Sequence, residues 1–419
     1  MLLLHLARQS LTNRILTTTL TALSIAFSVA LLVGVENVRT GMRESFSNTV
    51  SGTDLIVGSR GGTIQLLLYS VFGMGSPVAN ISHETWRKWD EHDAVAWTIP
   101  YALGDSHRGF RVIGTNESFY DHYKYRGGQS LALAEGRETE GVFDLVLGAE
   151  VASRLGYGLG QRVAVTHGMG GFMDHDELPF EVVGILERTF TPVDRAIYVT
   201  LEGISAIHMG WETGAPPMPG EEVTAEEVLA MDEIPVSQIT SFFLGAESRA
   251  FTLQLQRDIS TDEVEPMTAV IPGVALAEMW RGISYAEDGL RVISGFVVLV
   301  GILGMLVSIY TSLDARRREM AILRALGAGP RRIVSLLVLE AGLLSMIGAL
   351  LGVLFVYGGL TVMQPWLEGQ FGLQIPIRML DGVQLMFVGA VVVLGFAAGL
   401  VPAIKAYRTA LHDGLSVRV

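Results

Sequence analysis

One stretch of this sequence gathers side chains that could bind a metal ion. The candidate ligands are His167, Asp174, His175, Asp176 and Glu177, with His208 further along the chain. Imidazole nitrogens and carboxylate oxygens are ligands that a zinc-like ion accepts. A Gly/Asp-rich hairpin tip has much the same composition. We therefore interpret the segment as a solvated loop and predict no metal and no cofactor bound by this chain.

The sequence contains none of the motifs that would give the chain a catalytic centre of its own. No segment matches the phosphate-binding pattern G-x-x-x-x-G-K-[ST], and the stretch that begins at Gly327 lacks its lysine and its spacing. The patterns G-x-S-x-G and H-E-x-x-H are missing as well. We expect no catalytic residues and no ATP hydrolysis by this polypeptide.

A short basic segment between two apolar runs has the character of an amphipathic helix at a membrane face. Residues 316–328, RRREMAILRALGA, carry four arginines and one glutamate, with apolar side chains at helical spacings and a glycine stop. A cytoplasmic partner could bind such an element. The residues expected to contact it are Arg316, Arg317, Arg318, Glu319, Met320, Ile322, Leu323, Arg324, Leu326 and Gly327.

Four apolar runs are long enough to cross a bilayer. The 419-residue chain is 49% hydrophobic with a mean hydropathy of +0.40, and about 20 apolar residues span a hydrocarbon core of roughly 30 Å. We predict transmembrane helices at 15–36, 291–313, 333–363 and 383–403. The remaining segments are an interfacial helix at 1–14, a large domain at 37–290, loops at 314–332 and 364–382, and a tail at 404–419.

The first run could also be a cleaved signal peptide, because Ser28-Val29-Ala30 is a possible cleavage site. Its apolar part is longer than that of a usual signal peptide, which favours a transmembrane helix. The predicted fold class is therefore a membrane protein with a four-helix α-helical transmembrane bundle and an α+β extracytoplasmic domain.

Lysine and arginine positions predict the orientation. Arg8 and Arg14 precede the first run, six arginines follow the second, and Lys405 and Arg408 follow the fourth. The loop between the third and fourth runs has only Arg378. We expect both termini and the 314–332 loop to be cytoplasmic and the large domain to lie outside.

The large domain is acidic, with 37 acidic and 17 basic side chains between residues 36 and 290. This balance argues against nucleic acid as a partner. Its sequence alternates strand-like and helical segments, which predicts two lobes with a middle lobe inserted at about 106–235. The predicted strands are 54–57, 111–113, 162–165, 181–185, 197–199, 241–244 and 268–271. The predicted helices are 82–90, 147–155, 225–231, 250–259 and 276–289. The apolar segment 61–75 is expected to be a core helix, or alternatively a surface for lipid or an acylated substrate.

Small residues recur at four-residue spacing in the apolar runs, a pattern that permits close helix contact. The helix-packing candidates are Ala22, Ala26, Ala30, Gly348, Gly352, Gly395 and Gly399. Glu340 is the one acidic residue well inside a run, and an intramembrane carboxylate is a candidate functional group. Because it lies near the cytoplasmic end of its run, we favour a structural pairing with a nearby arginine.

These features together resemble the MacB/LolC/FtsX group of ABC transporter permeases. The resemblance follows the order of the family's elements along the whole chain. It rests most strongly on RRREMAILRALGA, residues 316–328, and further on TDLIV at 53–57, VLGAEVA at 146–152, FEVVGI at 180–185, EAGLL at 340–344 and PAIKAYR at 402–408. Two departures are visible: the chain lacks the nucleotide-binding domain fused to MacB, and Asp413-Gly414 stands where the family often has Asp-Pro.

The resemblance implies a permease subunit in a bacterial inner membrane. It implies that residues 316–328 are the coupling helix for a cytoplasmic ABC ATPase, present in two copies with ATP and Mg on that partner, and that two permease subunits pair, which we expect to be identical. A periplasmic adaptor or substrate protein is a further expected partner. The cargo would be a peptide, lipid or lipoprotein. An FtsX-like device that activates an outer partner by mechanotransmission, without transport, is the alternative.

Overall fold

The computed structural model describes residues 14–47, 49–168, 177–210, 223–315, 328–371 and 377–413, together with the single residues 7, 9, 12, 322, 325 and 375. These residues fall into two compact units. A helical unit comprises Met1–Met42, Ile283–Pro365 and Ile375–Val419, and a mixed unit comprises Arg43–Gly282 with Trp366–Gln374. Each unit is described by itself below.

Four long apolar helices meet the length and hydropathy needed to cross a membrane. They are α1 (Ile15–Ser47), α9 (Pro272–Ala315), α10 (Pro330–Phe371) and α11 (Gly382–Asp413). All four extend past the predicted spans, so the boundaries at 36, 291, 363 and 403 are not helix ends. Hydropathy marks only the apolar part of a helix, whereas its backbone hydrogen bonds continue into polar flanks.

The mixed unit contains the strands β1 (Leu55–Ser59), β2 (Ile81–Ser82), β3 (Val95–His107), β4 (Phe110–Thr115), β5 (Lys124–Tyr125), β6 (Gln129–Ser130), β7 (Leu133–Gly136), β8 (Asp144–Leu147), β9 (Arg162–Val163), β10 (Phe180–Leu186), β11 (Ala196–Thr200), β12 (Gln238–Ile239), β13 (Ser241–Ala246) and β14 (Met267–Val270). Its shorter helices are α2 (Thr63–Val71), α3 (His83–Asp90), α4 (Ser118–His122), α5 (Ala149–Leu155), α6 (Leu201–Ile207), α7 (Ala225–Leu229) and α8 (Thr252–Ser260). The predicted α+β class is confirmed.

One sheet organises this unit, in the order β14-β1-β13-β3-β4-β11-β8-β10-β7, with β9 pairing β10. The 13-residue β3 pairs antiparallel with β13 along its first half and with β4 along its second. A β-bulge between Leu103 and Ser106 shifts the register of the β3–β4 pair. Because a bulge turns side chains away from their regular alternation, it changes which residues of β3 face each side.

Two hydrophobic cores lie along the sheet. The first core contains Leu55, Trp86, Phe242 and Leu255, with other side chains from β1, β3, β13, β14, α3 and α8. The second core contains Leu147, Phe180 and other side chains from β4, β8, β10, β11, α5, α6 and α7, all drawn from residues between 110 and 234. The helix α6 contributes to both cores, with Leu201 in the first and Ala206 and Ile207 in the second.

Several predicted segments coincide with observed elements, and others were missed. The segments at 54–57, 111–113, 181–185, 197–199, 241–244 and 268–271 lie on β1, β4, β10, β11, β13 and β14. The sequence did not predict β3, β8 or α6. Segment 61–75 forms α2, whose Leu66, Leu67 and Tyr69 are buried, as expected for a core helix.

Candidate functional site

In the helical unit, α1 and α10 approach each other at small residues. A Cβ added to Gly348 would lie 2.7 Å from the Cβ of Ile25 and 3.0 Å from the carbonyl oxygen of Ala22. A Cβ added to Gly352 would lie 2.6 Å from the carbonyl oxygen of Ala26. Nothing larger than glycine fits there without movement, so the two backbones are in direct contact. Ala30 packs at the edge of the same apolar cluster.

The helices α10 and α11 meet in the same way. A Cβ at Gly395 would collide with the side chain of Ser345, and one at Gly399 would lie 2.7 Å from the Cβ of Ala341. Ser345 is buried and its hydroxyl donates to the carbonyl of Gly342, within its own helix. The same hydroxyl also lies 3.5 Å from the carbonyl oxygen of Val392 on α11, so a polar contact accompanies the close α10–α11 packing.

Polar side chains join α1 to α9. The Ser28 hydroxyl donates to the carbonyl of Val297 at 3.1 Å, and the Thr21 hydroxyl donates to Ser308 at 3.1 Å. Thr21 precedes Ser28 along α1, whereas its partner Ser308 follows Val297 along α9. The two helices are therefore antiparallel. Interhelical hydrogen bonds of this type stabilise membrane helices by roughly 0.6 kcal/mol on average.

A buried ionic group continues the α1–α9 contact, and we call its four residues, Glu36, Arg39, Glu287 and Arg291, the Glu36 cluster. The Arg39 guanidinium donates to both oxygens of Glu36, and its Nη1 lies 3.4 Å from Glu287. The Nη2 atom of Arg291 lies 3.6 Å from Oε2 of Glu36. The Glu36 side chain is only 2% exposed, so these two guanidiniums replace water as its partners.

Glu340 lies on α10 and is also buried, with 6% of its surface exposed. The predicted pairing with an arginine stays a prediction.

The predicted coupling residues lie almost entirely outside the described residues. Only Ile322 among them is described, as a helical residue whose side chain is 61% exposed. The helix α9 ends at Ala315 and α10 begins at Pro330, so the segment does connect two long helices. Its assignment rests on sequence.

The mixed unit contains a cavity of about 400 Å³. The C-terminal end of α2 lines it together with Tyr101 of β3, Arg111 of β4 and Tyr198 of β11. Burial lowers the pKa of Arg111. Its Nη2 donates to the carbonyl of Gly75, while its buried Nε has no hydrogen-bond partner among the described residues. The cavity thus combines aromatic walls with one guanidinium.

A second group of polar side chains meets near the end of β3. Asp105 Oδ1 lies 3.5 Å from His167 Nδ1 and 3.4 Å from His208 Nε2, and the two ring nitrogens are 3.1 Å apart. Burial lowers the pKa of His208, but the Asp105 carboxylate outweighs this effect and raises the pKa above its usual value.

Of the six metal-ligand candidates found in the sequence, the structure places His167 and His208 in this group. Asp174, His175 and Asp176 lie outside the described residues, and Glu177 is exposed and does not belong to the group. Sequence reasoning missed Asp105 altogether, because it is 62 positions before His167 and belongs to a strand that was not predicted. A polar residue within an apolar alternation, as at Gly104-Asp105-Ser106, is the signal that could have marked it.

Comparison with known protein families matches both parts of the chain. Residues 18–265 match the family model of the MacB-like periplasmic core domain, and residues 291–411 match that of the FtsX-like permease C-terminal region. The first match alone spans more than half of the chain. No curated protein matches the sequence.

Two solved structures are similar to part of the chain. The extracellular domain of the noncanonic ABC-type transporter YknZ from Gram-positive bacteria shares 15% identity and a TM-score of 0.30, covering 52% of this chain and 99% of that domain. The periplasmic region of MacB from Actinobacillus actinomycetemcomitans shares 10% identity and a TM-score of 0.33, covering 56% and 96%. The assignment of a family rests on the two sequence matches.

Proposed function

Because this chain belongs to the MacB/FtsX-like family of ABC transporter permeases, we propose that it couples ATP hydrolysis by a separate ATPase to motion of its large domain. The family and the four apolar helices point to an inner-membrane protein with a periplasmic domain. The proposed outcome is export or extraction of a peptide, lipid or lipoprotein, with the chain itself contributing no catalysis.

The observation that carries this proposal is the order of the two family matches, a periplasmic core followed by a permease region in one chain. The first helix and the last three are long enough to span a bilayer and flank the mixed unit in sequence. The helix α9 has 44 residues and would extend about 66 Å at 1.5 Å per residue. It is a continuous covalent path from the end of the periplasmic core to the predicted coupling segment.

Direct backbone contact supports movement of the helices as a group. The α1–α10 contact at Gly352 and the α10–α11 contact at Gly399 leave no room for a Cβ atom. Packed interfaces of this kind favour discrete arrangements over continuous deformation. ATP-dependent closure of two ATPase copies would then bias one arrangement of the bundle over another.

The cavity near α2 supports the proposed class of cargo. Tyr101 and Tyr198 provide aromatic surface, and Arg111 provides a positive charge with a donor still available at Nε. An apolar group that carries a carboxylate, phosphate or carbonyl oxygen fits that chemistry.

The alternative is an FtsX-like subunit that transmits motion to an outer partner without transport. The match of residues 291–411 to the FtsX-like region favours it as much as it favours transport. The two functions differ in the partner: an exporter would bind a periplasmic adaptor or cargo, and a signalling subunit would bind an enzyme such as a cell-wall hydrolase. Identification of the periplasmic protein that co-purifies with the full chain separates them.

The coupling assignment is tested with the double variant Leu323→Asp/Leu326→Asp. We expect it to abolish co-purification of an ABC ATPase with the full chain in mild detergent, because two carboxylates would replace the apolar contacts of the segment. A matched control changes two exposed apolar residues of the other interhelical connection, Ile377→Asp/Met379→Asp. This control should retain the ATPase. Equal ATPase recovery with both double variants would show that 316–328 is not the coupling segment.

A further inference from the structure

The Asp105, His167 and His208 side chains form the one group of metal-ligand type found among the described residues. The fold brings them together from three separate places in the mixed unit. Asp105 lies in the β3 bulge, which turns its carboxylate out of the regular strand alternation. His208 ends α6, where it follows Ile207 as the C-cap residue.

His167 is held close to β3 by backbone hydrogen bonds. Thr166 and Ser106 form an antiparallel bridge in which each backbone NH donates to the other carbonyl, at 2.8 and 3.0 Å. The Ser106 hydroxyl also donates to the carbonyl of Gly168 at 2.6 Å. His167 thus lies between two residues that are both bound to the neighbour of Asp105, so its position next to the carboxylate is fixed by the backbone.

Asp105 carries a buried charge that the described residues do not compensate by hydrogen bonds. The residue is 0% exposed, and neither Oδ1 nor Oδ2 accepts a hydrogen bond among the described residues. Its nearest polar atoms are the two imidazole nitrogens, at ion-pair distances. Removal of a carboxylate from water costs several kcal/mol. A bound cation would offset that cost.

The orientation of His208 presents a lone pair to the group. Its Nδ1 lies 2.8 Å from the carbonyl oxygen of Ile204, which can only accept a hydrogen bond, so Nδ1 carries the proton. In the neutral ring Nε2 then carries the lone pair, and Nε2 is the atom that lies 3.1 Å from His167 Nδ1 and 3.4 Å from Asp105 Oδ1. A backbone carbonyl that fixes the ring in this way is the usual outer partner of a metal-bound histidine.

We propose that Asp105, His167 and His208 bind a divalent transition-metal ion of the Zn²⁺ class. Four-coordinate zinc binds His nitrogen at about 2.0–2.1 Å and carboxylate oxygen at about 2.0–2.2 Å, so neighbouring ligand atoms are about 3.3–3.5 Å apart. The observed separations of 3.1, 3.4 and 3.5 Å match this spacing within a few tenths of an ångström. The three atoms therefore already form one face of a tetrahedron.

The described residues supply three ligands to the proposed site. The His167 side chain is 45% exposed, so an ion can reach the group from that side. The proposal does not depend on whether the chain transports or signals.

The test uses the full chain purified in mild detergent, stripped with a chelator and dialysed against Zn²⁺ or Co²⁺. We expect one ion per chain by mass spectrometry, Co²⁺ absorption bands of a tetrahedral site, and a higher melting temperature with Zn²⁺. Each of Asp105→Asn, His167→Ala and His208→Ala should weaken Zn²⁺ binding by more than the roughly 10–100-fold that loss of an outer partner causes. The exposed His92→Ala serves as the matched histidine control and should bind as the wild type does.

His167→Ala keeps the test valid if Asp105→Asn reduces folding, because the exposed imidazole can be removed without opening a core. A folded wild-type chain that takes up no stoichiometric metal would overturn the proposal. Wild-type affinity in all three variants would overturn it as well, since the ion would then be bound elsewhere. Loss of metal in the three variants but not in His92→Ala supports it.

Discussion

The helical unit and the mixed unit place their buried charges under different conditions. In the helical unit, Glu36 is buried between the guanidiniums of Arg39 and Arg291. In the mixed unit, Asp105 is buried without a hydrogen bond among the described residues. The Glu36 carboxylate thus has guanidinium partners and links two helices, whereas Asp105 has only two imidazoles nearby and belongs to the site proposed above. Both carboxylates are buried, so the difference between them lies in the positive charges beside each one.

The two units also differ in what holds them together. Lipid is as apolar as leucine, so α1, α10 and α11 gain little from burying apolar surface and instead make close contacts at glycine and alanine. The mixed unit buries two apolar cores against one sheet, where the hydrophobic effect supplies the main stabilisation. Loss of a single close contact therefore has different consequences in the two units.

The largest effect is expected for Glu36→Gln. Removal of one partner from a buried ion pair leaves the other charge uncompensated and typically costs about 3–5 kcal/mol. We expect a loss near the lower end of that range, because the Arg291 side chain is 37% exposed. Thermal unfolding of the full chain in detergent measures the loss, and hydrogen exchange shows whether it is confined to α1 and α9.

Asp288→Asn is the control for this prediction, because Asp288 binds the same Arg291 at 2.9 Å but is 66% exposed. An exposed pair contributes about 0–1 kcal/mol. If Glu36→Gln and Asp288→Asn reduce stability by similar amounts, burial of the Glu36 ion pair does not make it stronger than an exposed pair.

A smaller loss is expected for Gly352→Ala. The new Cβ would lie 2.6 Å from the carbonyl oxygen of Ala26, and overpacking of this type typically costs about 1–3 kcal/mol. Gly358→Ala on the same helix adds a Cβ that meets nothing within 4 Å. It should be neutral or stabilise by about 0.5–1 kcal/mol, because alanine restricts the unfolded chain. Changes of the melting temperature in opposite directions for the two variants would support direct backbone contact at Gly352. Changes in the same direction would contradict it.

The helical unit could largely be predicted from sequence because its information is local. Hydropathy located the four apolar helices, and the four-residue spacing of Ala22 with Ala26 and of Gly348 with Gly352 marked the residues that α1 and α10 bring together. Hydropathy did not locate the helix ends, because the helices extend beyond their apolar residues into polar flanks.

The proposed metal site could not be predicted, because its residues are far apart in sequence. The sequence named His167 together with residues 174–177 and His208, and the structure adds Asp105 to the two histidines. That pairing depends on β3, and β3 depends on the sheet order, which places strands from different parts of the chain side by side. The sequence therefore indicated two of the three residues of the proposed site and missed Asp105.

The smallest effect concerns Asp144, a buried carboxylate of the mixed unit whose Oδ2 accepts three hydrogen bonds. Burial raises the pKa of Asp144, but hydrogen bonds from Arg137 at 2.5 Å and from the backbone NH groups of Gly141 and Glu140 outweigh this and lower the pKa below its usual value. A lowered pKa in the folded state contributes stability above the unfolded pKa, and that contribution is lost as the pH falls through the folded value.

Asp144→Asn should therefore reduce the stability of the mixed unit at neutral pH by about 1 kcal/mol or less, because Arg137 is largely exposed. The difference from wild type should shrink below about pH 4, where the unfolded carboxylate binds a proton. Hydrogen exchange of β8 and β10 at several pH values measures this stability difference, with a substitution of the exposed Asp93, Asp93→Asn, as the control. A difference that grows on acidification would contradict the assignment. Asp144 would then resemble Asp105, as a buried carboxylate that needs an added positive charge.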